Sequence, residues 1–113
     1  MNLVLTPNKL NGTVVVPSSK SAGHRALICA ALTDGKSIIR NMTPSRDLEA
    51  TASVLREFGA AVNILETSSD GRLAVAVAGG LNASKDTLRA DCGESGSTVR
   101  FLIPVGLLTG KEV

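Results

Sequence analysis

Lys20 stands among Ser18, Ser19 and Ser21 in the stretch PSSKSAGHR, Pro17 to Arg25, with Arg25 four residues after Ser21. If a helix begins here, its start exposes about four unpaired backbone N–H groups and carries roughly half a positive charge. Three hydroxyls, an ammonium and a guanidinium one turn on then turn that start into a cradle for a phosphate or carboxylate. Charge-assisted hydrogen bonds contribute about 1.5–3 kcal/mol each, against about 0.3–1 for the dipole, so the side chains would set the affinity. The ordinary alternative is a serine N-cap flanked by solvated basic residues. The loop lacks the glycine spacing of a nucleotide-binding P-loop, which disfavours nucleoside triphosphates.

A second junction, CGESGSTVR from Cys92 to Arg100, offers similar chemistry. Gly93 and Gly96 permit close backbone approach, Ser95, Ser97 and Thr98 add donors, and Arg100 follows one turn later. Its ordinary reading is a flexible turn with a capping serine. Both junctions read as strand-to-helix turns, which in an open α/β sheet gather at one edge and can face one ligand.

Other reactive residues are fewer. His24 is the single histidine and follows the first loop. It could carry a proton, although a lone histidine at a helix start is more often a surface or capping group. Asp47 and Glu49, in PSRDLE, fall in the first turn of a second helix, where the dipole favours carboxylates and a structural role is the commoner one. One histidine and two distant cysteines, Cys29 and Cys92, make no metal-ligand pattern; they read as reduced thiols of a cytosolic protein.

These residues need elements to hold them. Short alternating or β-branched runs predict strands at Asn2 to Leu5, Thr13 to Val16, Ser37 to Asn41, Ala61 to Glu66, Arg72 to Val77 and Thr87 to Ala90. Helices are expected over Ser19 to Thr33, Ser45 to Phe58 and from near Ser95 towards Leu108, with Gly35 and Gly59 as stops for the first two. Pro104 should kink the third or break its first turn. TSSDG, Thr67 to Gly71, joins two alternating strands as a hairpin. Strands and helices in this order predict an α/β (α+β) domain with helices over a small mixed sheet.

Composition narrows the function. The 113 residues are 43% hydrophobic and 19% charged, which suits a single globular unit. A net charge of +2, with Phe58 and Phe101 the only aromatic residues beside His24, offers neither a basic field nor stacking platforms for nucleic acid. The longest apolar run, Ala26 to Leu32, is far too short for a membrane span, and the N-terminus lacks a signal pattern. A cytoplasmic location is expected.

PSSKSAGHRALICAAL and GESGSTVRFL, with DLEATASVLREFGA between them, resemble the amino-terminal part of the 5-enolpyruvylshikimate-3-phosphate synthase family. The first is similar to that family's Gly/Ser-Ser-Lys-Ser-x-x-x-Arg-Ala-Leu pattern, the second to its Asn-x-Gly-Thr-x-x-Arg pattern. The resemblance implies a transferase of the shikimate pathway, on the way to chorismate and the aromatic amino acids. Its reaction moves the enolpyruvyl group of phosphoenolpyruvate to the 5-hydroxyl of shikimate 3-phosphate and releases phosphate, with no metal or organic cofactor. By motif position, Lys20 would touch both substrates, Ser21 and Arg25 would hold shikimate 3-phosphate, and Gly96 would offer its backbone to phosphoenolpyruvate. Arg100 and Asp47 are further candidates. The family's acid/base residues come from later in its chain, so no catalytic group is assigned here. Both substrates are polyanions, and fixed donors would hold the tetrahedral intermediate as its charge redistributes.

Two departures bear on the second loop: Glu94 stands where many relatives have Asn, and Ser97 where they have Thr. A carboxylate beside a phosphate site repels its ligand unless it turns away or pairs, for instance with Arg100. The implied fold is an inside-out barrel of two domains, each of three βαβαββ units. On it, residues 1–17 would be leading strands, 18–80 the first unit and 81–113 the start of a second. The expectation is an incomplete piece, inactive alone and prone to self-association. The nearest rival is the UDP-N-acetylglucosamine enolpyruvyl transferase, whose loop lysine is followed by Asn where Ser21 stands here. A noncatalytic anion-binding module is the alternative from another class.

Overall fold

Ser19, Ser45 and Ser95 each open a helix, their hydroxyls accepting the backbone N–H three residues on, from Ala22, Leu48 and Thr98. In the computed structural model, which describes residues 1–113, these helices are α1 (Lys20–Leu32), α2 (Arg46–Glu57) and α3 (Gly96–Leu108). Between them lie β1 (Lys36–Met42), β2 (Ala61–Thr67) and β3 (Leu73–Ala78). α3 continues as a helix through Pro104, and its first turn is formed, capped by Ser95. The proline's missing N–H removes one hydrogen bond from the helix ladder.

The three strands form one sheet in the order β1-β3-β2, and both pairings are antiparallel. The mixed sheet expected from sequence is therefore not formed: β3 inserts between the parallel-running β1 and β2, so neither pairs with the other. The hairpin of β2 and β3 is present, its turn tied by hydrogen bonds from Ser68 N to Arg72 O at 2.8 Å and from Gly71 N to Ser68 O at 2.9 Å. At the end of β1 the register slips between Ile39 and Met42, where Asn41 takes φ +59°. Asparagine tolerates that left-handed geometry, and the slip delivers Met42 to the core and Thr43 to the α1 loop.

α1 contacts β1 and β3 and α2 contacts β2, so these helices cover one face of the sheet while α3 packs on α2. Leu27, Leu55, Phe58 and Val77, none more than 1% exposed, centre the core. Three expected strands are absent. Asn2 to Leu5 and Thr13 to Val16 have no regular structure, and Leu3, Val4, Leu5, Val14, Val15 and Val16 are all exposed, since no sheet edge reaches them. Thr87 to Ala90 contributes one isolated parallel bridge, Thr87 with Glu112. Consequently only α2 follows a strand of the sheet; α1 and α3 follow irregular segments.

Candidate functional site

The starts of the three helices are joined by side-chain contacts. Lys20 Nζ, in the first turn of α1, lies 2.6 Å from Oδ2 of Asp47, in the first turn of α2. The main-chain carbonyl of Asp47 also lies within hydrogen-bonding distance, 3.3 Å, of the hydroxyl of Thr98, in the first turn of α3. His24 Nδ1 and Thr51 Oγ1 are 2.7 Å apart, and Thr51 Oγ1 and Thr98 Oγ1 2.8 Å. The Arg25 guanidinium sits 5.0 Å from the centre of the Phe101 ring, linking α1 to α3, and its Nη1 donates to the Ser21 carbonyl at 3.0 Å. The three helices thus run side by side in one sense, with their positive ends together. Such an arrangement repels itself and attracts anions.

Small residues make this approach feasible. Gly23 in α1 lies against Leu48 of α2, where an added Cβ would stand 3.0 Å from a Leu48 methyl. At Gly96 the reverse holds: a Cβ would meet nothing within 4 Å, so no neighbour in this chain requires a glycine there.

The lysine is paired but open. Side-chain exposures are 59% for Lys20 and 34% for Asp47. The Lys20 hydrogen bond, and then its charge, hold the Asp47 carboxyl below its ordinary value. Ser21, Arg25, Ser97 and Arg100 are exposed, and so is Glu94, which forms no ion pair with Arg100. Ser18, read from sequence as an anion donor, is instead engaged: its hydroxyl is 3.0 Å from Thr43 Oγ1 and accepts Thr43 N–H at 2.8 Å, which clamps the α1 loop to the end of β1. Both cysteines are free, and burial raises the Cys92 thiol above its ordinary value. No three metal-ligating side chains gather.

His24 corrects the sequence reading. It is 2% exposed, neither a surface group nor a cap, because α1 presses it between Thr51 and the ring of Phe101. Desolvation holds its pKa below 6.5, partly offset by the Asp47 carboxylate. Thr51 was missed altogether. The available signal was its place three residues after Leu48 and one before Ala52, which puts a hydroxyl on the apolar face of α2.

The EPSP synthase (3-phosphoshikimate 1-carboxyvinyltransferase) model matches residues 4–113. The chain belongs to the EPSP synthase family. Among curated family proteins, the 3-phosphoshikimate 1-carboxyvinyltransferase of Clostridium acetobutylicum is 42% identical over 100% of this chain and 26% of its own length. That of Clostridium perfringens is 39% identical over 98% of this chain and 25% of its own. The EPSP synthase structure from Acinetobacter baumannii superposes with a TM-score of 0.61 at 27% identity, covering 80% of this chain and 20% of that one. The mixed helix and antiparallel-sheet architecture is thus a portion of the EPSP synthase fold, and this chain spans about 25% of the length of its curated relatives.

Proposed function

We propose that this chain supplies the first part of a site that transfers enolpyruvyl from phosphoenolpyruvate to the 5-hydroxyl of shikimate 3-phosphate. The observation that carries this is the place of Asp47 between the loops: its carboxylate holds Lys20 of the first, and its carbonyl lies 3.3 Å from the Thr98 hydroxyl of the second. Two anion-binding loops from distant parts of the sequence therefore meet at one end of the helix layer.

In this reading Lys20 bridges both substrates, Ser21 and Arg25 hold shikimate 3-phosphate, and the Gly96 amide receives phosphoenolpyruvate. Arg100 adds positive charge one turn along α3. Proton transfer at the reacting carbons falls to groups beyond these 113 residues. Residues 18–80 form the first repeating unit and 81–113 open the next. The reaction would serve aromatic amino-acid biosynthesis in the cytoplasm, and no helix here is long and apolar enough to cross a membrane.

The test is a fusion of this chain to the remaining carboxy-terminal portion of the Clostridium acetobutylicum relative, assayed for phosphate release from phosphoenolpyruvate. Release that depends on shikimate 3-phosphate is expected. Release that depends on UDP-N-acetylglucosamine instead would move the chain to the rival transferase. Silence with both, in a folded fusion, would leave an anion-binding module.

A further inference from the structure

Four buried side chains form a continuous line through the helix layer. His24 Nδ1 is 2.7 Å from Thr51 Oγ1, which is 2.8 Å from Thr98 Oγ1, which is 2.7 Å from Ser95 Oγ. Their exposures are 2%, 0%, 0% and 4%. Ser95 caps α3 and immediately precedes Gly96.

Each hydroxyl has one proton to donate, so the line must be ordered. When Nδ1 is bare, Thr51 has to turn its proton towards it. Thr98 must then donate to Thr51, and Ser95 to Thr98. The Ser95 proton is consumed inward, and the Asp47 carbonyl loses its donor. When Nδ1 carries a proton, Thr51 donates to Thr98 and the Thr98 proton is released. It can go to Ser95 at 2.7 Å or to the Asp47 carbonyl at 3.3 Å, and the shorter contact is favoured. The Ser95 proton is then free to point out of the line, beside Gly96. Orders other than these are excluded, since two facing lone pairs at such distances repel and leave polar atoms unsatisfied.

We propose that His24 is a positioning residue whose Nδ1 proton, relayed through Thr51 and Thr98, sets the hydrogen-bond direction at Ser95 and hence the donors offered at the start of α3. The relay stands on the contacts alone; its bearing on substrate binding rests on the function proposed above. The charges around His24 are Asp47 from α2, which favours its protonation, and Lys20 and Arg25 from its own helix, which oppose it. α3 presents the uncharged Phe101 ring at 6.3 Å.

Because the chain has one histidine, its ring nitrogen NMR signals are unambiguous. The ring signals and the Ser95 and Gly96 amide signals are followed through acidification without any ligand, in wild type, Thr51→Val and Thr51→Ser. In wild type and Thr51→Ser the amides should move with the same midpoint as the ring. In Thr51→Val the ring should still titrate while the amides stop following it. Amides that ignore His24 in wild type, or follow it equally in Thr51→Val, would overturn the relay. If Thr51→Val does not fold, Thr98→Val breaks the line at the next hydroxyl while keeping the backbone cap, and the same readings apply. No substrate enters this experiment, so its failure is separable from failure of the phosphate-release assay.

Discussion

The Lys20 ammonium rests on the Asp47 carboxylate at 2.6 Å, and both side chains remain open to solvent. An exposed pair of this kind contributes about 0–1 kcal/mol, less than the roughly 1.5–3 kcal/mol of each charge-assisted bond to a phosphate. A polyanion should therefore draw Lys20 off Asp47. Lys20→Ala is expected to weaken phosphoenolpyruvate binding at least about tenfold, equivalent to roughly 1.4 kcal/mol. Asp47→Asn should instead tighten it several-fold while leaving stability nearly unchanged, because the pair is exposed. Titration calorimetry on both variants checks the pair, and equal weakening in both would show that Asp47 assists binding rather than competing for the lysine.

Acidification should destabilise the fold through His24. Burial depresses its pKa from 6.5, so the unfolded chain takes up a proton before the folded one does. Below that value the unfolded state binds more protons, and stability falls as pH falls, by at most about 1.4 kcal/mol per pH unit. Asp47 is depressed from 3.8 and so titrates below this window. Denaturant melts between about pH 7.5 and about pH 5.5 should show the slope, and His24→Gln should flatten it. An unchanged slope in that variant would place the titrating group elsewhere.

Gly79 should resist any side chain. A Cβ there would run into the carbonyl oxygens of Thr33 and Ala30, backbone atoms held where Gly79 and Gly80 donate to Gly35 and Ala31. Gly79→Ala is expected to cost about 3 kcal/mol or more, at or beyond the usual range for overpacking. Gly71→Ala is the control: at φ +80° with open space around it, only the left-handed conformation is penalised, by roughly 1–2 kcal/mol. Thermal unfolding of the two variants should keep that order.

Val99, Ile103 and Leu107 repeat every four residues along α3 and are 40%, 63% and 78% exposed. With such an apolar stripe exposed, the 113-residue chain is expected to self-associate. Ile103→Lys together with Leu107→Glu should lower the sedimentation-derived mass of concentrated samples. A wild-type chain that sediments as a monomer throughout would contradict the expectation.

All three helices were legible because their signals are local. Serine caps, glycine stops and the Leu48, Ala52, Leu55 face placed α2 to within a residue of Arg46–Glu57. The hairpin was equally plain from TSSDG between two alternating runs. Strand order was not, because the insertion of β3 between β1 and β2 depends on pairings that local periodicity does not encode. The same limit explains the failed strands: Val14 to Val16 has strong β propensity, yet a strand needs a neighbour, and none reaches it. At the site, Lys20, Arg25 and Gly96 were marked by residue type. Thr51 was not, and Thr98 was read as a donor to a ligand, since the inward role of a buried threonine becomes legible only once its partner across the helix interface is known.

The most direct measurement follows backbone amide signals of the 113-residue chain while shikimate 3-phosphate and then phosphoenolpyruvate are added. The expected result is that shikimate 3-phosphate moves the signals from Lys20 to Arg25, phosphoenolpyruvate adds movement at Gly96, and Lys20→Ala suppresses both. Movement spread evenly over the chain, or unchanged in Lys20→Ala, would contradict a shared anion site at the meeting point of the three helix starts.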